Sequence, residues 1–306
     1  MLSIENVSIR FGDNPEVVGD TSITLSRRDK MVVVGETGSG KSVLLLAVLR
    51  VLPRSAHVSG RILFDGQDLL LHSKSGMTAV RGRRISYIPQ GSGNGLNPLY
   101  PIGRQIGETI VKHSDLSKSE ARHKSVELLR RFGLENAREI CASYPFMLSG
   151  GMRQRVLIAM GIAAGAELVL ADEPTKGLDQ NRIAMVTDAF RNLDDRTLLC
   201  VTHDLRFAKT IASKIVVMYA SQQIEYADSE SFFSDPLHPY SQAMLEALPE
   251  NGLAANMGFA PPRRDEISQK CCHFYGRCAH KTQRCRKTPP LMDLGSRKVR
   301  CWKYEI

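Results

Sequence analysis

The segment Gly35-Glu36-Thr37-Gly38-Ser39-Gly40-Lys41-Ser42 follows the apolar stretch Lys30–Val34 and precedes the apolar Val43–Val51. It matches G-x-x-x-x-G-K-[ST] in a strand–turn–helix frame, the context that turns a glycine-rich run into a phosphate cradle. The glycines let backbone N–H groups turn onto phosphate oxygens, and the helix start adds its positive dipole end. Lys41 then places a charge between the β- and γ-phosphates, and the Ser42 hydroxyl is placed to bind Mg²⁺. A chain built around such a loop folds as an α/β domain that takes a nucleoside triphosphate.

The rest of the chain is consistent with that frame. Strand-like and helix-like segments alternate to about residue 230, the pattern of a largely parallel sheet with helical crossovers. Strands are expected at Ile4–Phe11, Lys30–Val34, Arg61–Phe64, Ile85–Pro89, Leu168–Ala171, Leu198–Thr202 and Lys214–Met218. From about Leu96 to Ala164 the texture is helical, and Ser117-Lys118-Ser119-Glu120 reads as a capping box opening a helix that runs to Phe132. Pro249–Gln269, with Pro261-Pro262, reads as a linker. No run approaches the ~18 apolar residues of a membrane helix, and Met1–Asn6 lacks a signal-peptide pattern. Contact with a membrane is therefore expected to run through another subunit.

Leu168-Val169-Leu170-Ala171-Asp172-Glu173 is an apolar strand ending in two acids. Asp172 is placed to hold Mg²⁺ through water, and Glu173 to polarise an attacking water as general base. Paired with the phosphate loop, the two acids point to hydrolysis of the triphosphate.

Formal net charge is +9. Much of the excess lies after residue 260, from Arg263 and Arg264 to Arg300 and Lys303. No nucleic-acid recognition motif accompanies it, so no nucleic-acid partner is expected. Five of the seven cysteines crowd the same region: Cys271, Cys272, Cys278, Cys285 and Cys301. Cys200 lies in an apolar strand and reads as a buried thiol; Cys141 stands alone. In a reducing compartment the crowded set suits a metal or cluster better than disulfides.

Leu148-Ser149-Gly150-Gly151-Met152-Arg153-Gln154-Arg155 resembles the LSGGQ signature of the ABC (ATP-binding cassette) ATPases. The resemblance extends in order along the chain. Gln90 resembles the Q-loop glutamine that touches Mg²⁺ and reports to the membrane subunit. His203 resembles the switch histidine at the γ-phosphate, and Phe11 lies where the family often stacks an aromatic ring on adenine. Ser149, Gly150, Gly151 and Gln154 correspond to the signature that binds ATP held by the opposite subunit. Asp179 matches the D-loop aspartate. At Lys176-Gly177 the chain departs from the usual S-A-L-D.

Gly95-Leu96-Asn97-Pro98 and Leu237-His238-Pro239-Tyr240-Ser241-Gln242-Ala243-Met244 resemble blocks of the peptide and nickel importer group. The tail pattern Cys272-x5-Cys278-x6-Cys285 with Cys301 resembles the cysteines that ligate a [4Fe–4S] cluster in some members. By ligand type, Zn²⁺ or reduced free thiols remain open, and Cys271 is a spare that could replace Cys272.

The resemblance implies the fold of a P-loop ABC ATPase with a helical subdomain and a cysteine-rich C-terminal extension. The expected domains are an ATPase domain over 1–235 (helical subdomain about 96–164), a helix and linker over 236–270, and the extension over 271–306. The implied function is hydrolysis of ATP, with Mg²⁺, to drive uptake of peptides or nickel and metal chelates. The implied partners are two transmembrane permease subunits, a second ATPase subunit forming a sandwich dimer, and, indirectly, an extracytoplasmic binding protein. The implied location is peripheral, at the cytoplasmic face of the cell membrane. An exporter ATPase is an alternative, as is a non-transport ABC ATPase acting in DNA repair or translation.

Overall fold

The computed structural model describes residues 1–91, 95–193, 195–251 and 270–305. Most of the expected linker therefore lies outside the described residues, as do Arg263 and Arg264. The chain divides into two compact units. One comprises residues 1–26, 31–70 and 212–306, and the other residues 27–30 and 71–211.

In the first unit the strand Leu2–Phe11 buries Leu2, Ile4, Val7 and Ile9 and turns the intervening positions outward, the period-2 pattern of a half-buried strand. It pairs antiparallel with Val18–Leu25 on one side and Ala56–Phe64 on the other. Both ladders shift register near Asn6, whose φ is +49°, so the strand carries a bulge there. Met31–Val34 lies parallel to Lys214–Val217 and is wholly buried. The strand Lys214–Tyr219 turns back antiparallel onto Gln222–Asp228. That strand also takes Lys298–Val299 as an antiparallel partner.

The expected largely parallel sheet therefore holds for Met31–Val34 but not for the unit as a whole. The cause is local: short connections can join only antiparallel neighbours. Ala220 and Ser221, at φ +45° and +71°, form the two-residue turn between Lys214–Tyr219 and Gln222–Asp228. Two left-handed residues in such a turn match the twist of a hairpin.

In the second unit the sheet is parallel. Ile85–Ile88 pairs with Leu168–Ala171, and Leu168–Asp172 pairs with Thr197–Val201. Leu168–Asp172 and Thr197–Thr202 are buried at every position, as strands covered on both faces must be. The helix Gln180–Arg191 makes the crossover between them. Glu167, just ahead of Leu168, accepts hydrogen bonds from Arg84 (2.9 Å) and Arg27 (2.7 Å), which pins the starts of these strands.

The helical texture also appears as expected, as Ile102–His113, Lys118–Arg131, Ala137–Ala142 and Gly150–Ala163. The Ser117 capping box is present: Ser117 Oγ accepts from Glu120 N, and Glu120 Oε2 accepts from Ser117 N. Among the described residues no helix is long and apolar enough to cross a membrane.

Candidate functional site

The phosphate loop in the first unit takes its shape from glycines that no other residue can replace. Gly35 (φ +146°), Gly38 (φ +85°) and Gly40 (φ +97°) all lie in the left-handed half of backbone space. A side chain at Gly35 would run into the carbonyl oxygen of Met218, and one at Gly40 into that of Val17. Gly40 caps the helix Lys41–Val48. Lys41 is buried, and its Nζ donates to Gly35 O (2.7 Å) and Glu36 O (2.8 Å), with Ser39 Oγ at 3.4 Å. Its ammonium thus sits folded back inside the loop it serves. Thr37 and Ser42 lie on the same loop, and Ser42 opens the helix after Lys41. Phe11 closes the strand Leu2–Phe11 half-buried, and its carbonyl accepts from Asn14 N and Nδ2.

The acids of the second unit are held tightly. Asp172 ends its strand almost fully buried, and Tyr87 Oη donates to its Oδ2 at 3.2 Å. Burial, and then the Asp172 charge, push the Tyr87 hydroxyl well above the usual phenol range, so it stays a donor. Sequence reasoning missed Tyr87; a tyrosine in a short apolar strand carries no signal of its partner.

Glu173 is buried at φ +47°, a conformation costly for a residue with a β-carbon and concentrated at functional sites. Its Oε2 accepts from Thr202 Oγ1 (3.2 Å) and His203 N (3.3 Å), and lies 2.7 Å from His203 Nδ1. The His203 side chain is more than half exposed. Cys200, opposite Ala171, is fully buried. Burial, with the nearby Glu173 and Asp172 charges, pushes its thiol well up. The reading of Cys200 as a buried thiol is borne out.

Gln90, Gly150 and Gln154 come together with Gly91, Lys176, Gly177 and Leu178 around a cavity of about 460 Å³. Ser149 caps the helix Gly150–Ala163, its Oγ accepting from Met152 N at 3.3 Å. Gly151 lies against the Arg182 guanidinium. Gln154 is buried; its Nε2 donates to Pro174 O at 3.3 Å, while its Oε1 is buried without a hydrogen-bond partner. Asp179 caps the helix Gln180–Arg191, accepting from Arg182 N and pairing with the Arg182 guanidinium at 2.9 Å. Gly177 adopts φ +78° with open space around it, which gives the departure in this loop a backbone rationale.

The cysteine extension belongs to the first unit. Cys272, Cys278, Cys285 and Cys301 line one cavity of about 200 Å³, together with Phe274 and His280. Burial raises the thiols of Cys278 and Cys301, and pushes that of Cys272 up to about 12. Among the described residues, no three His, Cys, Asp or Glu side chains gather closely enough to hold a single metal ion.

The His-Pro-Tyr block has a structural logic of its own. Glu225, fully buried, accepts from Leu237 N and His238 N at 2.8 Å each. His238 caps the helix Pro239–Glu246, its Nδ1 accepting from Tyr240 N at 3.0 Å. Burial lowers the pKa of His238 to about 3, so the ring is neutral and free to accept. Pro239 takes the first helical position, where its missing N–H is not needed and its fixed φ suits the helix.

Residues 18–176 match the ABC transporter family, and residues 224–285 match the oligopeptide/dipeptide transporter C-terminal region. A putative peptide import ATP-binding protein of Brucella abortus is 35% identical over 98% of this chain and 94% of its own. The dipeptide transport ATP-binding protein DppD of Escherichia coli is 36% identical over 96% of this chain and 93% of its own. The oligopeptide transport ATP-binding protein AppD of Bacillus subtilis is 33% identical over 100% of this chain and 97% of its own. In fold, the chain is similar to the dimeric post-hydrolysis state of the ATP-binding cassette MJ0796 bound to ADP and Pi. The TM-score is 0.67 at 23% identity, over 75% of this chain and 99% of that one.

The chain belongs to the ABC transporter family, as an ATP-binding protein. Within that family it is the ATPase subunit of an importer, hydrolysing ATP to drive transport.

Proposed function

We propose that the imported cargo is peptide, with Glu173 as the general base of ATP hydrolysis and His203 as its partner. The observation that carries the catalytic reading is the Glu173 carboxylate, anchored by Oε2 to Thr202 and His203. Anchoring one oxygen leaves Oε1 to orient a water, and positioning of this kind does most of the catalysis in phosphoryl transfer. Lys41, with Gly35, Thr37, Gly38, Ser39 and Gly40, takes the phosphates; Phe11 takes the adenine. Asp172, with Ser42 and Gln90, would hold Mg²⁺, which neutralises charge on the phosphates. The buried carboxylate of Asp172, with a hydroxyl donor beside it, suits a hydrated divalent cation.

Peptide cargo is supported by the relatives named for peptide import and for dipeptide transport, and by the match of residues 224–285. This puts it ahead of nickel or a metal chelate. In the working assembly two ATPase subunits form a sandwich dimer. Ser149, Gly150, Gly151, Gln154 and Asp179 act on the nucleotide held by the partner. Two permease subunits receive the motion, and an extracytoplasmic binding protein supplies cargo. The chain then sits peripherally at the cytoplasmic face of the membrane. The working division is an ATPase domain to about residue 235, a helix and linker to about 270, and the extension beyond.

For the extension, Cys272, Cys278, Cys285 and Cys301 would hold a [4Fe–4S] cluster. Four soft donors around one cavity suit it, and a cluster spreads its ligands more widely than one Zn²⁺ ion does. The group would supply structural cross-linking. Absorbance near 400 nm in anaerobically purified protein tests it, and a colourless protein carrying one zinc per chain overturns it. Purification of the chain with two multispanning proteins and ATP-driven peptide uptake tests the function. Uptake of nickel but no peptide would overturn the cargo.

A further inference from the structure

We propose that Arg277, in the cysteine extension, is a positioning residue for the phosphate loop, acting through Glu36. The two are 241 positions apart, yet Arg277 Nη1 donates to Glu36 Oε1 at 2.8 Å. Glu36 is the second residue of the loop, and its carbonyl accepts from Lys41 Nζ at 2.8 Å. A single residue therefore links the extension to the lysine that takes the phosphates. The inference rests on the reading of this loop as the ATP site.

The contact is built rather than incidental. The Arg277 side chain is 13% exposed and that of Glu36 23%, so the pair is largely shielded from solvent. Shielding strengthens a charge-assisted hydrogen bond and makes it costly to leave either partner alone. The guanidinium also lies 3.4 Å from Tyr219 Oη and 5.7 Å from the ring centroids of Tyr219 and Phe274. Tyr219, Tyr240 and Phe274 form one aromatic cluster, with centroids 4.6, 5.3 and 5.6 Å apart. Three sequence regions thus meet the guanidinium: the phosphate loop at Glu36, the strand before the Ala220-Ser221 turn at Tyr219 and the extension at Phe274, while Tyr240 of the His-Pro-Tyr helix packs on the two rings.

The turn that carries Arg277 also carries two cysteines of the cavity. Tyr275 N donates to Cys272 O, while Arg277 N and Cys278 N both donate to Phe274 O. The backbone from Cys272 to Cys278 is one tight unit, so its fold fixes where the guanidinium meets Glu36. Without that anchor the Glu36 carboxylate is released and the loop has more conformations to lose when it closes on phosphate, which weakens binding.

The test is ATP affinity in the full chain, measured by equilibrium binding of a fluorescent ATP analogue. Glu36→Gln and Arg277→Gln should each raise Kd about tenfold. The double variant should be no weaker than either single one, and Arg277→Lys should recover most of the loss. Effects that multiply in the double variant, or a loss in Arg277→Gln that Glu36→Gln does not share, would mean the extension acts only structurally and would overturn the proposal. Lys41→Ala separates the two levels. If it leaves ATP binding intact, the reading of the loop fails; if it abolishes binding while both single variants bind normally, only the role of Arg277 fails.

Discussion

Glu173 Oε2 and His203 Nδ1 lie 2.7 Å apart, and the same carboxylate oxygen accepts from the Thr202 hydroxyl and the His203 N–H. A carboxylate fixed in this way has little freedom to swing toward or away from a water. Glu173 also holds a strained φ of +47° directly after the strand Leu168–Asp172.

Replacing Glu173 with Gln keeps the shape of the side chain and removes its basicity. Hydrolysis should fall by a factor of about 10²–10⁴, the range for a lost general base. ATP binding should persist and the closed dimer accumulate. Phosphate release and size-exclusion chromatography with ATP and Mg²⁺ check this, and a variant turning over at the normal rate would mean the base lies elsewhere.

Tyr87→Phe removes only the hydroxyl that donates to Asp172. A hydrogen bond to a charged group contributes about 1.5–3 kcal/mol. If Asp172 holds Mg²⁺, the variant should need roughly tenfold more Mg²⁺ for half-maximal hydrolysis. Titration of ATPase rate against Mg²⁺ at saturating ATP measures it.

Gly177→Ala meets no atom, so its cost is confined to the backbone. Holding alanine at φ +78° should destabilise the second unit by about 1–2 kcal/mol, and Gly177→Asn should cost less. Urea denaturation of the three proteins gives the order, and equal midpoints for glycine and alanine would contradict the assigned conformation.

Glu167 supplies the pH-dependent case. Its hydrogen bonds to Arg84 and Arg27 hold its carboxyl below its ordinary value of 4.5. The stabilisation is therefore present above pH 4.5 and is lost as pH falls through the lower, folded-state value. The side chain is 38% exposed, so solvent screening keeps the gain to about 1 kcal/mol or less. Glu167→Gln should lower the melting temperature at pH 7 and approach wild type as the medium is acidified. A constant difference across that range would rule out the ion pairs as its source.

The phosphate loop, the acids Asp172 and Glu173 after Leu168–Ala171 and the Ser117 capping box were legible because each is local: the spacing of a few residues states the geometry. The hairpin at Ala220-Ser221 was not legible, since neither residue is the glycine or asparagine that such turns usually use. Its strand Gln222–Asp228 carries buried Gln223 and Glu225, which mask the apolar pattern. Tyr87 and Arg277 were missed in their roles for a related reason. Each acts through a partner distant in sequence, and a single sequence gives no sign of pairings across 85 or 241 positions.

The first unit is assembled from three separate stretches of sequence, and the floor under Gly35 is the carbonyl of Met218. During synthesis on the ribosome, residues 71–211 emerge before Lys214–Tyr219 exists to flank Met31–Val34. The nucleotide loop is therefore among the earlier segments to be made and among the later to be given its shape. The Met218 carbonyl that closes against Gly35 is added only after every residue of the second unit has been made.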